Sequence, residues 1–131
     1  MATAKEKRIS IASSRMERVQ SKKYKSSQGM LIDGIVNYYG GPRVVAHLLS
    51  EKLGKEFHEQ SCVNWRGRGK IPLKLANQIA KVFKVPVYAL NFKDAKAFTG
   101  SDVEWEPTVR ACKFLPSEFI ERVLSLKQPT V

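Results

Sequence analysis

In this chain of 131 residues the side chains best suited to selective recognition fall in one run, Gln60-Ser61-Cys62-Val63-Asn64-Trp65-Arg66-Gly67-Arg68-Gly69-Lys70-Ile71-Pro72. On a 3.6-residue period Cys62 and Trp65 share one side of a helix, and Gln60 and Asn64, four apart, share the opposite side. A carboxamide presents a donor and an acceptor together, which matches the adenine edge in a DNA major groove wide enough to admit a helix. Arg66, Arg68 and Lys70 follow at the helix end, where long cations reach phosphates and fix how the helix lies. A solvated surface helix running into a polar turn would show the same two faces, so the neighbouring residues must decide between the two readings.

The overall charge favours the first reading. Lys and Arg number 23 against 12 Asp and Glu, for a net charge of +11, and such an excess selects a polyanionic partner. It is unevenly spread. Residues 1–27 carry eight basic and two acidic side chains (8 − 2 = +6), residues 28–99 eleven and five (11 − 5 = +6), and residues 100–131 four and five (4 − 5 = −1). The partner-facing charge therefore lies in the first three quarters.

Residues 1–27 hold few apolar side chains and cannot fold alone. They read as a basic arm, flexible or helical on DNA, in which Lys22, Lys23 and Lys25 lie nearest the folded part and face the backbone. A first helix is predicted over 28–39, with Leu31, Ile35, Tyr38 and Ile32, Val36, Tyr39 at helical spacing, and Gly40-Gly41-Pro42 stops it. A second starts near Pro42, with Val45, Leu48, Leu49 and Leu53 inward, Arg43 in its first turn facing a phosphate, and Gly54 as its stop. The connection 55–57 turns Phe57 into the core. The third helix spans about 58–66, opens at His58, which is grouped with the backbone contacts, and ends at Gly67 or Gly69. Pro72 opens a fourth, marked by Leu75, Ala76, Ile79, Ala80 and Phe83, and residues 84–90 supply a short turn and a fifth helical segment.

This order of features resembles the phage repressor and Cro-like helix-turn-helix family. The residues that carry the likeness are Gly40-Gly41, the helix from Val44 to Leu49, Asn64-Trp65, the basic loop from Arg66 to Lys70, Ile71-Pro72 and the segment from Val85 to Leu90. The likeness implies an all-α bundle of about five helices that binds operator DNA as a symmetric dimer and regulates transcription. It also implies that Trp65, Cys62 and Ala46 are core, that Gln60, Ser61 and Asn64 face base edges, and that Arg66, Arg68 and Lys70 face the backbone. One departure stands out: residues 50–56 lengthen the second helix or its turn, where the family has a tight turn just after the position of Leu49. The domain division that follows is an arm at 1–27, a helix-turn-helix domain at 28–92 and a C-terminal extension at 93–131.

In that extension Val103-Glu104-Trp105 alternates like a short strand ended by Pro107. Its acidic, aromatic character suits either a contact with RNA polymerase or a Trp packed on the bundle. A last helix is predicted over 116–127, with Phe119, Ile120, Val123 and Leu124 on one face, and that face must be buried by its own domain or by a second subunit. A homodimer built through this tail is the reading preferred here.

Other chemistries find less support. Cys62 and Cys112 are too few for a disulfide scaffold or zinc cluster. His58 and Cys62 are four apart, but no further ligand or orienting group accompanies them. Gly67 and Gly69 lack the strand-loop-helix setting of a phosphate-binding enzyme loop, and no triad is evident, so no enzyme, cofactor or metal is expected. The chain has no long apolar run and no signal-peptide pattern, so a protein neither exported nor membrane-spanning is expected, and the phage-type likeness implies the cytoplasm or nucleoid of a bacterial host cell. The competing functions are a nonspecific nucleic-acid binder, and an interaction module such as an antitoxin or a polymerase-binding protein.

Overall fold

A computed structural model describes Tyr24 and residues 26–129. The arm residues Lys22, Lys23 and Lys25 lie outside the described residues. Among the described residues there are seven α-helices: α1 (Ser27–Tyr38), α2 (Pro42–Leu53), α3 (Glu59–Arg68), α4 (Leu73–Phe83), α5 (Phe92–Thr99), α6 (Trp105–Arg110) and α7 (Ser117–Ser125), with a 3-10 turn at Val87–Ala89. The fold is an all-α bundle, as the periodicity predicts, but with more than the five helices expected. The predicted fifth segment is only the 3-10 turn; residues 91–100, which by sequence suit either a helical extension of it or a linker, hold the separate helix α5, and α6 is additional.

Helix α1 is the centre of the bundle. The Ser26 hydroxyl caps it by accepting from the Gly29 N–H at 3.0 Å, and every residue from Ser27 to Val36 is buried. A helix buried on every side needs cover on all sides, and partners for its buried Ser27, Gln28 and Asp33. Helices α2, α3, α7 and the 3-10 turn provide it. Two glycines set how closely the covering helices approach. A Cβ on Gly29 would lie 2.6 Å from the backbone oxygen of Arg66 in α3, and a Cβ on Gly34 would lie 2.2 Å from Phe119 Cζ in α7.

The lengthened connection between α2 and α3 is resolved in both ways allowed by the sequence. Helix α2 runs on to Leu53, and residues 54–58 then make the turn. Ser50 ties the two together: its hydroxyl donates to the Ala46 carbonyl at 2.8 Å and accepts from the Phe57 N–H at 3.0 Å. The Ser50→Ala variant should therefore lose about 1 kcal/mol of stability, the usual net worth of such a bond. A urea titration that gave an unaltered midpoint would show that the turn holds without this hydroxyl.

The C-terminal third departs most from expectation. Residues 103–105 form no strand: Glu104 has extended backbone angles, but as the N-cap of α6, and Trp105 is already the first residue of that helix. Pro107 sits inside the first turn of α6, where a missing N–H has no intrahelical bond to lose. Trp105 is buried and packs edge-on against Phe92, with ring centroids 5.4 Å apart, so the packed reading of this residue holds. The acidic, aromatic patch does not form, because its aromatic member faces inward. Phe119, Ile120 and Val123 are buried in the same core as α1 to α4. The face on which a tail-mediated dimer was expected is thus covered by the chain's own α1.

Candidate nucleic-acid interface

Helix α3 inserts Cys62 and Trp65 into the core, at 2% and 4% exposure, and this fixes which residues face outward. Gln60 is exposed, and Ser61 and Asn64 are half-buried on the same outer side. The Gln60 Nε2 donates to Asn64 Oδ1 at 3.0 Å. That bond leaves the Gln60 carbonyl oxygen as the pair's remaining acceptor and the Asn64 amino group as a remaining donor. Beside them, Phe57, Ser61, Asn64, Arg68 and Leu75 line a groove of about 280 Å³ between the long turn and α3.

The cations do not act as one set. Helix α3 continues to Arg68 rather than stopping at Arg66, and ends on Gly69 at φ 71°, a left-handed position that costs glycine little. Arg68 lies four residues after Asn64 and so falls on the amide side. Arg66 lies four after Cys62, on the inward side, and its guanidinium sits 3.9 Å from the buried carboxylate of Asp33. That carboxylate also accepts from the hydroxyl of Tyr24 and from Asn37 Nδ2, the latter at 3.1 Å. Burial, and then this bond to Asp33, raise the Tyr24 pKa far above its usual range. Arg66 therefore fastens α3 to α1, a role that its i, i+4 relation to Cys62 makes legible in the sequence.

Lys70 pairs with Asp94 at 3.3 Å. Donation from Asn91 and the neighbouring Lys70 hold the Asp94 carboxyl below its usual range. The loop that carries Lys70 is pinned on both sides: Ile71 N–H donates to the Leu90 carbonyl at 3.0 Å, and Asn91 Nδ2 donates to the Ile71 carbonyl at 2.9 Å. Asn91 also caps α5 by accepting from the Asp94 N–H. The Asn-x-x-Asp spacing at 91–94 is a capping signal in the sequence that the helix-by-helix reading did not use.

His58 is the N-cap residue of α3 without a capping side-chain bond, and its Nε2 lies 3.7 Å from Glu56. Arg43 is exposed in the first turn of α2. The structure thus brings Gln60, Ser61, Asn64 and Arg68 together on one outer strip, leaves the half-buried Arg66 at the edge of that strip beside Asp33, and neutralises Lys70 in part. Burial pushes the Cys62 thiol up to about 11 and the Cys112 thiol to about 12, so both are protonated and poor nucleophiles. No group of three or more His, Cys, Asp or Glu residues suited to a metal ion occurs among the described residues, and no helix among them is long and apolar enough to cross a membrane.

Comparison with the models of known protein families, with curated proteins and with solved structures finds no match to this chain.

Proposed function

We propose that this protein is a sequence-specific double-stranded DNA-binding regulator of transcription, of phage or prophage type, that lays α3 in the major groove. The observation that carries the proposal is the hydrogen-bonded amide pair Gln60 and Asn64 on the outer side of a helix whose other side is anchored by Cys62 and Trp65. Preset amides lose little entropy when they meet a base edge, and each well-made contact discriminates by about 1–3 kcal/mol. Ser61 stands beside them, and Arg68 continues the strip toward the backbone. Arg43, His58 and the arm lysines add salt-sensitive affinity without reading sequence. A second copy of the chain related by a two-fold axis would place another α3 one turn of DNA away, giving a palindromic site. Occlusion of a promoter, or contact of the exposed Asp102, Glu104 and Glu106 with RNA polymerase, then provides the regulatory output.

The test is recovery of bound fragments from sheared genomic DNA at about 150 mM salt, where nonspecific binding weakens, with the Gln60→Ala, Asn64→Ala double variant in parallel. Enrichment of one short site that the variant loses is the expected result. Equal recovery of all fragments by both proteins would instead establish binding by charge alone.

A further inference from the structure

We infer that a second cleft, on the flank of α3, grips a backbone phosphate of the same DNA; the inference rests on the proposed DNA-binding function. The cleft encloses about 400 Å³, and Arg68, Lys70, Lys93 and Lys127 all line it, beside Ser26 and Asn91. These four cations come from separate parts of the chain: the end of α3, the loop after it, the start of α5 and the segment after α7.

Their convergence is built into the fold. The Ser27 hydroxyl donates to the Lys127 carbonyl at 2.7 Å, holding the C-terminal segment against the start of α1. The Phe92 N–H donates to the buried Gln28 Oε1 at 2.8 Å, fixing the first turn of α5 that carries Lys93. Asp94 pairs with Lys70 and also feels the charge of its neighbour Lys93, but among the described residues Arg68, Lys93 and Lys127 have no carboxylate within ion-pairing distance, so the cations of the cleft outnumber its one carboxylate. Like charges brought to one concavity repel unless an anion joins them. A phosphodiester is the anion that matches the position. Arg68 lines this cleft and also the groove beside Ser61 and Asn64, so a duplex seated on the amide strip continues directly over the cleft. Lys93 and Lys127, both outside the stretch that resembles a helix-turn-helix domain, become part of the DNA footprint.

The experiment measures affinity for a labelled duplex of mixed sequence between 50 and 200 mM salt, as log K against log[salt]. It compares the unaltered full chain, Lys93→Gln with Lys127→Gln, Lys93→Arg with Lys127→Arg, and Gln60→Ala with Asn64→Ala. Loss of the one gripped phosphate should make the slope of the glutamine variant shallower by about 0.9, the value for one neutralised phosphate, while the arginine variant keeps the original slope. Both lysines are exposed, and thermal unfolding of each variant should match that of the parent. An unaltered slope in the glutamine variant overturns the phosphate grip. So does an unaltered slope accompanied by stabilisation with inorganic phosphate that only the parent shows, which would make the cleft a site for a free anion. A shallower slope in the glutamine variant, together with recovery of the same genomic fragments by the parent and the amide variant, sustains the grip and sinks the base-reading proposal. Absence of any DNA binding by the parent overturns both.

Discussion

Gly34→Ala should lower the unfolding temperature by roughly 10 °C, corresponding to about 3 kcal/mol for a domain of this size. In an exposed helix this change would add up to about 1 kcal/mol through better helix propensity. Here the new methyl carbon would lie 2.2, 2.4 and 3.1 Å from three carbons of the Phe119 ring. That ring is fully buried, so it cannot swing aside as an exposed side chain would. Helices α1 and α7 must separate instead, and the contact that closes the C-terminal third over the centre opens. Steric cost exceeds propensity. The diagnostic measurement is a double-mutant cycle with Phe119→Leu, which has a shorter side chain: the pair should be more stable than the sum of the two single losses implies. Strict additivity would show that the clash does not cause the loss.

Gln28→Leu should cost about 2–5 kcal/mol, although leucine is apolar, of similar size and a good helix former. The Gln28 side chain is a buried bridge: its Nε2 donates to the Ala89 carbonyl at 2.5 Å and its Oε1 accepts from the Phe92 N–H at 2.8 Å. Leucine would leave a buried carbonyl and a buried N–H without partners, each costing about 1–3 kcal/mol. Gln28→Glu keeps the acceptor but loses the donor and buries a charge, so it should not rescue stability at neutral pH. Chemical denaturation of both variants tests this. A loss below about 1 kcal/mol in Gln28→Leu would mean that water replaces the amide. A partial rescue of the glutamate variant as pH falls would show the carboxylic acid restoring the donor.

Much of the chain's organisation was legible before any coordinates. The Gly-Gly-Pro stop at 40–42, the stripe from Ala76 to Phe83 and the opposition of Cys62 and Trp65 to Gln60 and Asn64 follow from helical periodicity and from the backbone limits of Gly and Pro, which act within a few residues. The same arithmetic, carried one turn further, separates Arg66 from Arg68. The strand reading at 103–105 failed for a local reason as well: an apolar-polar-apolar triplet is too short to tell a strand from an extended N-cap, here Glu104, followed by a helix start at Trp105.

Composition and periodicity are enough to make the chain helical and strongly basic, and to set two amides opposite a Cys and a Trp on one helix. Which surfaces remain open depends on how the helices pack. That packing placed α7 on Gly34 and so used the last apolar face internally, turned Trp105 inward, attached Arg66 to Asp33, and gathered Lys93 and Lys127 beside Arg68 from segments far apart in the chain. The physical reason is one of range. Periodicity and capping are properties of neighbouring residues, whereas burial and the meeting of charges depend on which helix lies against which, and a glycine reveals that contact only when its partner is in view.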